Sequence, residues 1–237
     1  MITSVSDLDI EILYYLDIES IIHLSLITKY QYKLISNLGF IKELLSLKYP
    51  GIKSLVLVDI AASNNCLLLL EWLSNSVNSF RYTVNAIDEA SRKGHIGVLE
   101  WFKKSGYKMN YTYEAIDFAS HNAHIKVLDW FMQARESGLE FLYSKDAIIF
   151  ASAKGNINVL QWFKDSGLEF KYDENAIKKA SSRGLVSVLE WFVNSGLEVN
   201  SYYVIDNAIK YEHINVLEWL KKFDIEYVYD KAIGERI

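Results

Sequence analysis

Six segments of the chain are variants of one another: "CLLLLEWLSNS" from Cys66, "GHIGVLEWFKKSG" from Gly94, "HIKVLDWFMQARESG" from His124, "NINVLQWFKDSG" from Asn156, "LVSVLEWFVNSG" from Leu185 and "HINVLEWLKKF" from His213. All six tryptophans, Trp72, Trp101, Trp130, Trp162, Trp191 and Trp219, hold the same place in them, at spacings of 29, 29, 32, 29 and 28 residues. A fixed period in this range implies one supersecondary unit stacked on copies of itself, because no single unit buries its apolar face alone.

The unit is legible in residues 86 to 114. In "AIDEASRKG", Ala86, Ile87 and Ala90 recur at helical spacing among charged residues, which predicts a short amphipathic helix ending at Gly94. In "HIGVLEWFKKSG", Val98, Leu99, Trp101 and Phe102 span a broad apolar arc opposite Gly97, Glu100 and Lys104. An arc that wide suits a helix held between its own partner and the next copy, and Gly106 ends it. The following "YKMNYTYE" connects extended to the next copy. Between Trp130 and Gly138 three residues are added, which predicts almost one more helical turn or a bulged loop there, and an excision of Ala134 to Glu136 that the fold tolerates.

This helix, turn, helix, loop unit resembles the ankyrin repeat. The resemblance is carried by the small pairs Ala90-Ser91, Ala119-Ser120, Ala151-Ser152 and Ala180-Ser181, the inter-helix Gly94-His95, the aliphatic pair Val98-Leu99 and the closing "GLEVN" from Gly196 to Asn200. It implies an all-α, ankyrin-like helical repeat solenoid over residues 51–237, with repeats at 57–85, 86–114, 115–146, 147–175, 176–203 and 204–231 and a truncated copy from Ala232. The units are shorter than the typical period of about 33 residues, and "NAID", "EAID", "DAII" and "NAIK" stand where the family has "TPLH". The missing residues fall in the projecting hairpin, so the expected fingers are stunted.

Residues 1–50 do not repeat. Glu11-Ile12-Leu13, Tyr15-Leu16-Asp17, the apolar series Ile21, Ile22, Leu24 and Leu26, and "ITKYQYKLI" from Ile27 to Ile35 resemble an F-box, the small helical module that docks on the Skp1 adaptor of ubiquitin ligases. The alternative is that these residues only cap the array, since an end repeat would otherwise expose its apolar face. The whole layout, with its Ile/Lys/Asn/Tyr-rich, proline-poor composition, is similar to ankyrin proteins of giant DNA viruses that infect amoebae, which would place the chain in host-cell cytoplasm.

Composition narrows the function classes. With 51% hydrophobic and 23% charged residues and a net charge of −5, the chain reads as a folded, soluble protein lacking the concentrated basic face of a nucleic-acid binder. A single cysteine excludes an intramolecular disulfide and suits an intracellular compartment, cytoplasmic or nuclear. The longest apolar runs stop short of the ~18 residues of a membrane span, and the N-terminus carries acids where a secretory signal has bases. His95, His124 and His213 share the start of the second helix, the place of the ankyrin histidine that ties adjacent loops. His121 and His124 form an H-x-x-H pair with no neighbouring acid or cysteine to complete a metal shell. Cys66 reads as a small core residue, and the tryptophans as packing side chains. No phosphate-binding loop, nucleophile elbow or zinc-protease motif is present. The expectation is therefore a non-catalytic protein with no cofactor and no metal, whose partners are proteins.

Function should then lie in what varies between copies. The two residues before the small pair and the two after it are expected to face the concave surface or its margin. They run from the mixed set Asp88, Glu89, Arg92 and Lys93, through Asp117, Phe118, His121 and Asn122 and the apolar Ile149, Phe150, Ala153 with Lys154, to the basic Lys178, Lys179 and Arg183 with Ser182. The candidate partner-binding set is Glu89, Phe118, Ile149, Phe150, Lys178, Lys179 and Arg183, with an apolar patch in mid-array and a basic flank favouring an acidic partner segment. The alternative for the apolar side chains is that they fold back into the inter-repeat core.

Overall fold

A computed structural model describes residues 54–76 and 80–222. The F-box-like segment at 1–50 and the truncated copy from Ala232 lie outside the described residues. Among the described residues there are twelve α-helices, one 3-10 turn and no strand. They form six pairs: α1 (Ser54–Ser63) with α2 (Leu67–Ser76), α3 (Asn85–Arg92) with α4 (Ile96–Ser105), α5 (Glu114–His121) with α6 (Ile125–Ala134), α7 (Asp146–Lys154) with α8 (Ile157–Asp165), α9 (Glu174–Ser181) with α10 (Val186–Asn194), and α11 (Ser201–Lys210) with α12 (Ile214–Lys221).

The chain divides into two compact units, Met1–Tyr111 and Thr112–Ile237. In the first, α1 packs on α3 and α2 on α4. In the second, the first helices α5, α7, α9 and α11 form one row of successive neighbours and the second helices α6, α8, α10 and α12 another, the first helices lying in the closer contact. Each unit is thus all-α with neighbour-to-neighbour helix contacts, compatible with a helical repeat solenoid. The core follows the sequence period: Ala115, Ile116 and Ala119, then Ala147, Ile148 and Ala151, then Ala176, Ile177 and Ala180 are buried in the first helices, and Val127-Leu128, Val159-Leu160 and Val188-Leu189 in the second.

Each pair turns on one left-handed residue. Asn65, Gly94, Ala123, Gly155, Gly184 and Glu212 all have positive φ, and the next N–H returns to the alanine of the small pair or its equivalent, as in His95 N to Ala90 O at 2.8 Å and Asn156 N to Ala151 O at 2.9 Å. This is a Schellman-type stop. A side chain in this conformation is strained, so Ala123→Gly is expected to raise unfolding free energy by about 0.5–1 kcal/mol. Gly184→Ala should do the reverse and more, because its Cβ would stand 2.8 Å from His213 Nδ1 at a φ of +68°. Thermal melts of the two variants check both signs.

The three added residues of the third repeat, Arg135–Ser137, form a 3-10 turn that continues α6 and stops at Gly138, φ +86°. Their side chains are exposed, whereas Ala134 is 1% exposed. Excision of Ala134 to Glu136 places Ser137 before Gly138, as Ser105 precedes Gly106, and excision of Arg135–Ser137 keeps the buried Ala134 in that place. Both restore the spacing of the other repeats, and the urea midpoint should move little in either variant.

Candidate protein-binding surface

The starts of α3, α7, α9 and α11 are capped from two residues upstream. Asn85 N donates to Thr83 Oγ1 (3.1 Å), Asp146 N to Ser144 Oγ (3.0 Å), Asn175 N to Asp173 Oδ1 (2.8 Å) and Tyr202 N to Asn200 Oδ1 (3.0 Å). The caps Ser144 and Thr83 also donate to an aspartate of the preceding first helix. Ser144 N and Oγ donate to the two carboxylate oxygens of Asp117 at 3.0 and 2.5 Å, and Thr83 N and Oγ1 do the same to Asp59 at 2.9 and 2.6 Å. Ile149 and Lys178 hold the aspartate position ahead of Asp173 and Asn200, whose side-chain oxygens have no proton to donate. The position two before the small pair is therefore a contact between repeats.

The sequence expectation of exposure fails at four positions, three of them two before the small pair and the fourth Ala153, which is 7% exposed. Asp117, expected at the surface, is 2% exposed, and burial pushes its carboxyl up to about 6 against the opposing bonds from Ser144. Ile149 is 6% exposed and belongs to the inter-repeat core, the alternative left open for it. Asp88 is buried as well. A helix advances 100° per residue, so the two positions before the small pair cannot share a face, and the first of them turns inward.

The second of those positions stays outside. Phe118 and Phe150 are half-buried, and their rings stack at 5.8 Å between centroids and 13° between planes. The His121 ring meets Phe150 edge-on at 5.6 Å and 84°. Lys179 is exposed. Arg183, also exposed, reaches back to donate from Nη1 to the Ala153 carbonyl oxygen. Lys178 is engaged within the array: its ammonium sits 2.6 Å from Glu174 Oε1, which holds it more basic than usual, and 3.8 Å from the Tyr203 ring centroid. Glu89 belongs to the first unit, where it binds Arg92 Nε at 3.0 and 2.9 Å and also Nη2. The structure thus brings Phe118, His121, Phe150, Lys179 and Arg183 onto the outer side of one helix row, joined by the exposed Lys154.

The remaining candidates have local partners. His95 Nε2 lies 3.2 Å from the Ser63 carbonyl oxygen and His213 Nε2 2.9 Å from that of Ser182, each spanning one repeat; Asn156 fills the same role from Nδ2 to Ser120 O and His121 O at 3.1 and 2.9 Å. Cys66 is buried. The tryptophans differ among themselves: Trp130 and Trp219 are buried, whereas Trp101, Trp162 and Trp191 are half-exposed and donate from Nε1 to Glu71 (2.8 Å), Asp129 (2.7 Å) and Gln161 (2.9 Å). Each acceptor is the residue before the preceding tryptophan. The acceptors stand in the sequence in the dipeptides "EW", "DW" and "QW". The phenylalanine after the tryptophan, Phe102, Phe131, Phe163 or Phe192, is the fully buried one.

Among the described residues no group of three or more His, Cys, Asp or Glu side chains could hold a metal ion, and no helix is long and apolar enough to cross a membrane. Neither a protein-family model nor a curated protein matches the chain.

Proposed function

We propose that the chain is a non-catalytic, ankyrin-type interaction protein whose first-helix row captures a protein partner. The observation that carries this reading is the Phe118–Phe150 stack, two large apolar rings left half-open on α5 and α7, whose other apolar side chains are buried. Exposed aromatic pairs ringed by polar groups are the anchors on which interfaces concentrate their binding energy. The repeat reading is supported by the left-handed turn, the buried Ala-Ser pair and the His or Asn side chain bonded back one repeat. A rigid row of this kind presents a continuous surface suited to binding.

The test compares baits. Proteins retained by the full chain and by Asn158→Glu on the second-helix side, but lost to Phe150→Ala with an unchanged circular-dichroism melt, support the reading. Retention that ignores Phe150→Ala sinks it. The link to a ubiquitin ligase rests on the sequence of residues 1–50 alone, and purified Skp1 tests it directly: no binding to the full chain leaves those residues as a cap.

A further inference from the structure

We infer that this face receives an extended, acidic protein segment that seats an apolar side chain on the Phe118–Phe150 stack and carries a carboxylate about three residues away. The inference deepens the proposed function and rests on it. Successive first helices repeat their positions, so Phe118, Phe150 and Lys179 stand in one line across α5, α7 and α9. One turn on, toward the helix C-termini, stand His121, Lys154 and Arg183. None of the outward positions of these three helices beside or beyond the aromatic pair is a carboxylate.

The acids of the same helices lie at the other end or are already used. Glu114, Asp146 and Glu174 are in the first turns; Glu174 is bound by Lys178, and Asp117 is buried against Ser144. Basic residues in a last turn complement the helix dipole, which accounts for finding them there. It leaves their field uncancelled toward solvent, because among the described residues no carboxylate pairs with Lys154 or Lys179. The open edge is therefore apolar at one repeat and cationic at the next.

Geometry sets the spacing of the ligand. Packed helices lie about 8–10 Å apart, and an extended chain advances about 3.3 Å per residue, so one repeat corresponds to about three residues of peptide. An apolar anchor over Phe118 and Phe150 thus puts the carboxylate that meets Lys179 and Arg183 about three positions further along. Charge pairs at such a rim act chiefly on association rate and respond to salt, whereas the buried anchor governs dissociation.

The experiment selects short random peptides displayed on phage against the full chain and measures the enriched peptide by fluorescence anisotropy. The expected pool carries an apolar residue with Asp or Glu about three positions away. Phe150→Ala, or Phe118→Ala if the first variant melts early, should weaken binding roughly tenfold or more. Lys179→Glu with Arg183→Glu, on exposed side chains, should weaken it comparably at low salt and less at high salt. Peptides without acids, or indifferent to the charge reversal but lost with Phe150→Ala, overturn the inference and leave the proposed function standing. No enrichment also overturns it, since a linear segment would then not suffice, and the bait comparison judges the broader reading by itself. Peptides indifferent to every variant overturn the location of the surface altogether.

Discussion

Phe163→Ala is expected to lower the unfolding free energy by about 3–5 kcal/mol, whereas Trp162→Ala beside it should lose only about 2 kcal/mol. From the sequence alone Trp162 and Trp130 are both packing side chains whose truncation should cost about 3–5 kcal/mol. In the structure Phe163 is fully buried and Trp162 half-exposed. The Phe163 ring is enclosed by Trp162 (5.1 Å, 84°), Tyr143 (5.2 Å, 35°) and Phe141 (6.4 Å, 77°). Truncation leaves a cavity among other aromatic side chains of the same cluster, which have little freedom to collapse into it. Trp162 lies at the edge of this cluster, with its N–H bonded to Asp129, so its removal forfeits a hydrogen bond and part of its apolar contact but opens mostly to solvent. Trp130 is 6% exposed and should behave like Phe163. Urea melts of the three variants give the ranking. Equal losses at Trp162 and Phe163 would mean that the indole carries as much of the layer as the benzyl group.

The period, the helix pairs and the turn between them were legible because one physical requirement fixes each. The wide apolar arc of the second helix demands neighbours on two sides, and the small Ala-Ser pair lets helices approach. The left-handed stop was readable at Gly94 and Gly155 and hidden at Ala123 and Glu212, which adopt it without being glycine. The surface was less legible. Asp117 was placed at the surface because both positions before the small pair were taken to face outward, but two donors from Ser144 satisfy its carboxylate inside the array. The signal was present as a pairing between positions: hydroxyl caps Thr83 and Ser144 follow Asp59 and Asp117, while Asp173 and Asn200 follow Ile149 and Lys178. A carboxylate ahead of Asp173 would face a second acceptor with no proton between them, and an isoleucine does not. Reading the chain for donors and acceptors one repeat apart separates the inter-repeat residue from its outward neighbour, and so Ile149 from Phe150.

The stability difference between Asp117→Asn and the parent should shift in favour of the variant as pH rises from 4 to 8, by about 2 kcal/mol. Burial raises the folded carboxyl to about 6 from an ordinary 3.8, with the nearby Asp146 and Glu114 charges adding to the shift and the two Ser144 bonds opposing it. A raised folded value means that the native state holds the proton more tightly than the unfolded chain. Its stabilising contribution is therefore fully present below about pH 3.8 and disappears as pH climbs through about 6. Asp59, held by Thr83 in the same way, is raised too and titrates with the same sign in both proteins, so it drops out of the comparison. The exchange of a carboxylate for an amide has its own pH-independent effect, since Ser144 Oγ loses an acceptor while the backbone N–H keeps one. That effect also cancels when the two proteins are compared at two pH values. Urea melts of parent and variant at pH 4 and 8 supply the four numbers. A difference that stays flat would mean that Asp117 ionises as it does in the unfolded chain. A difference running the other way would mean that the Ser144 bonds outweigh burial and that the carboxylate is held charged.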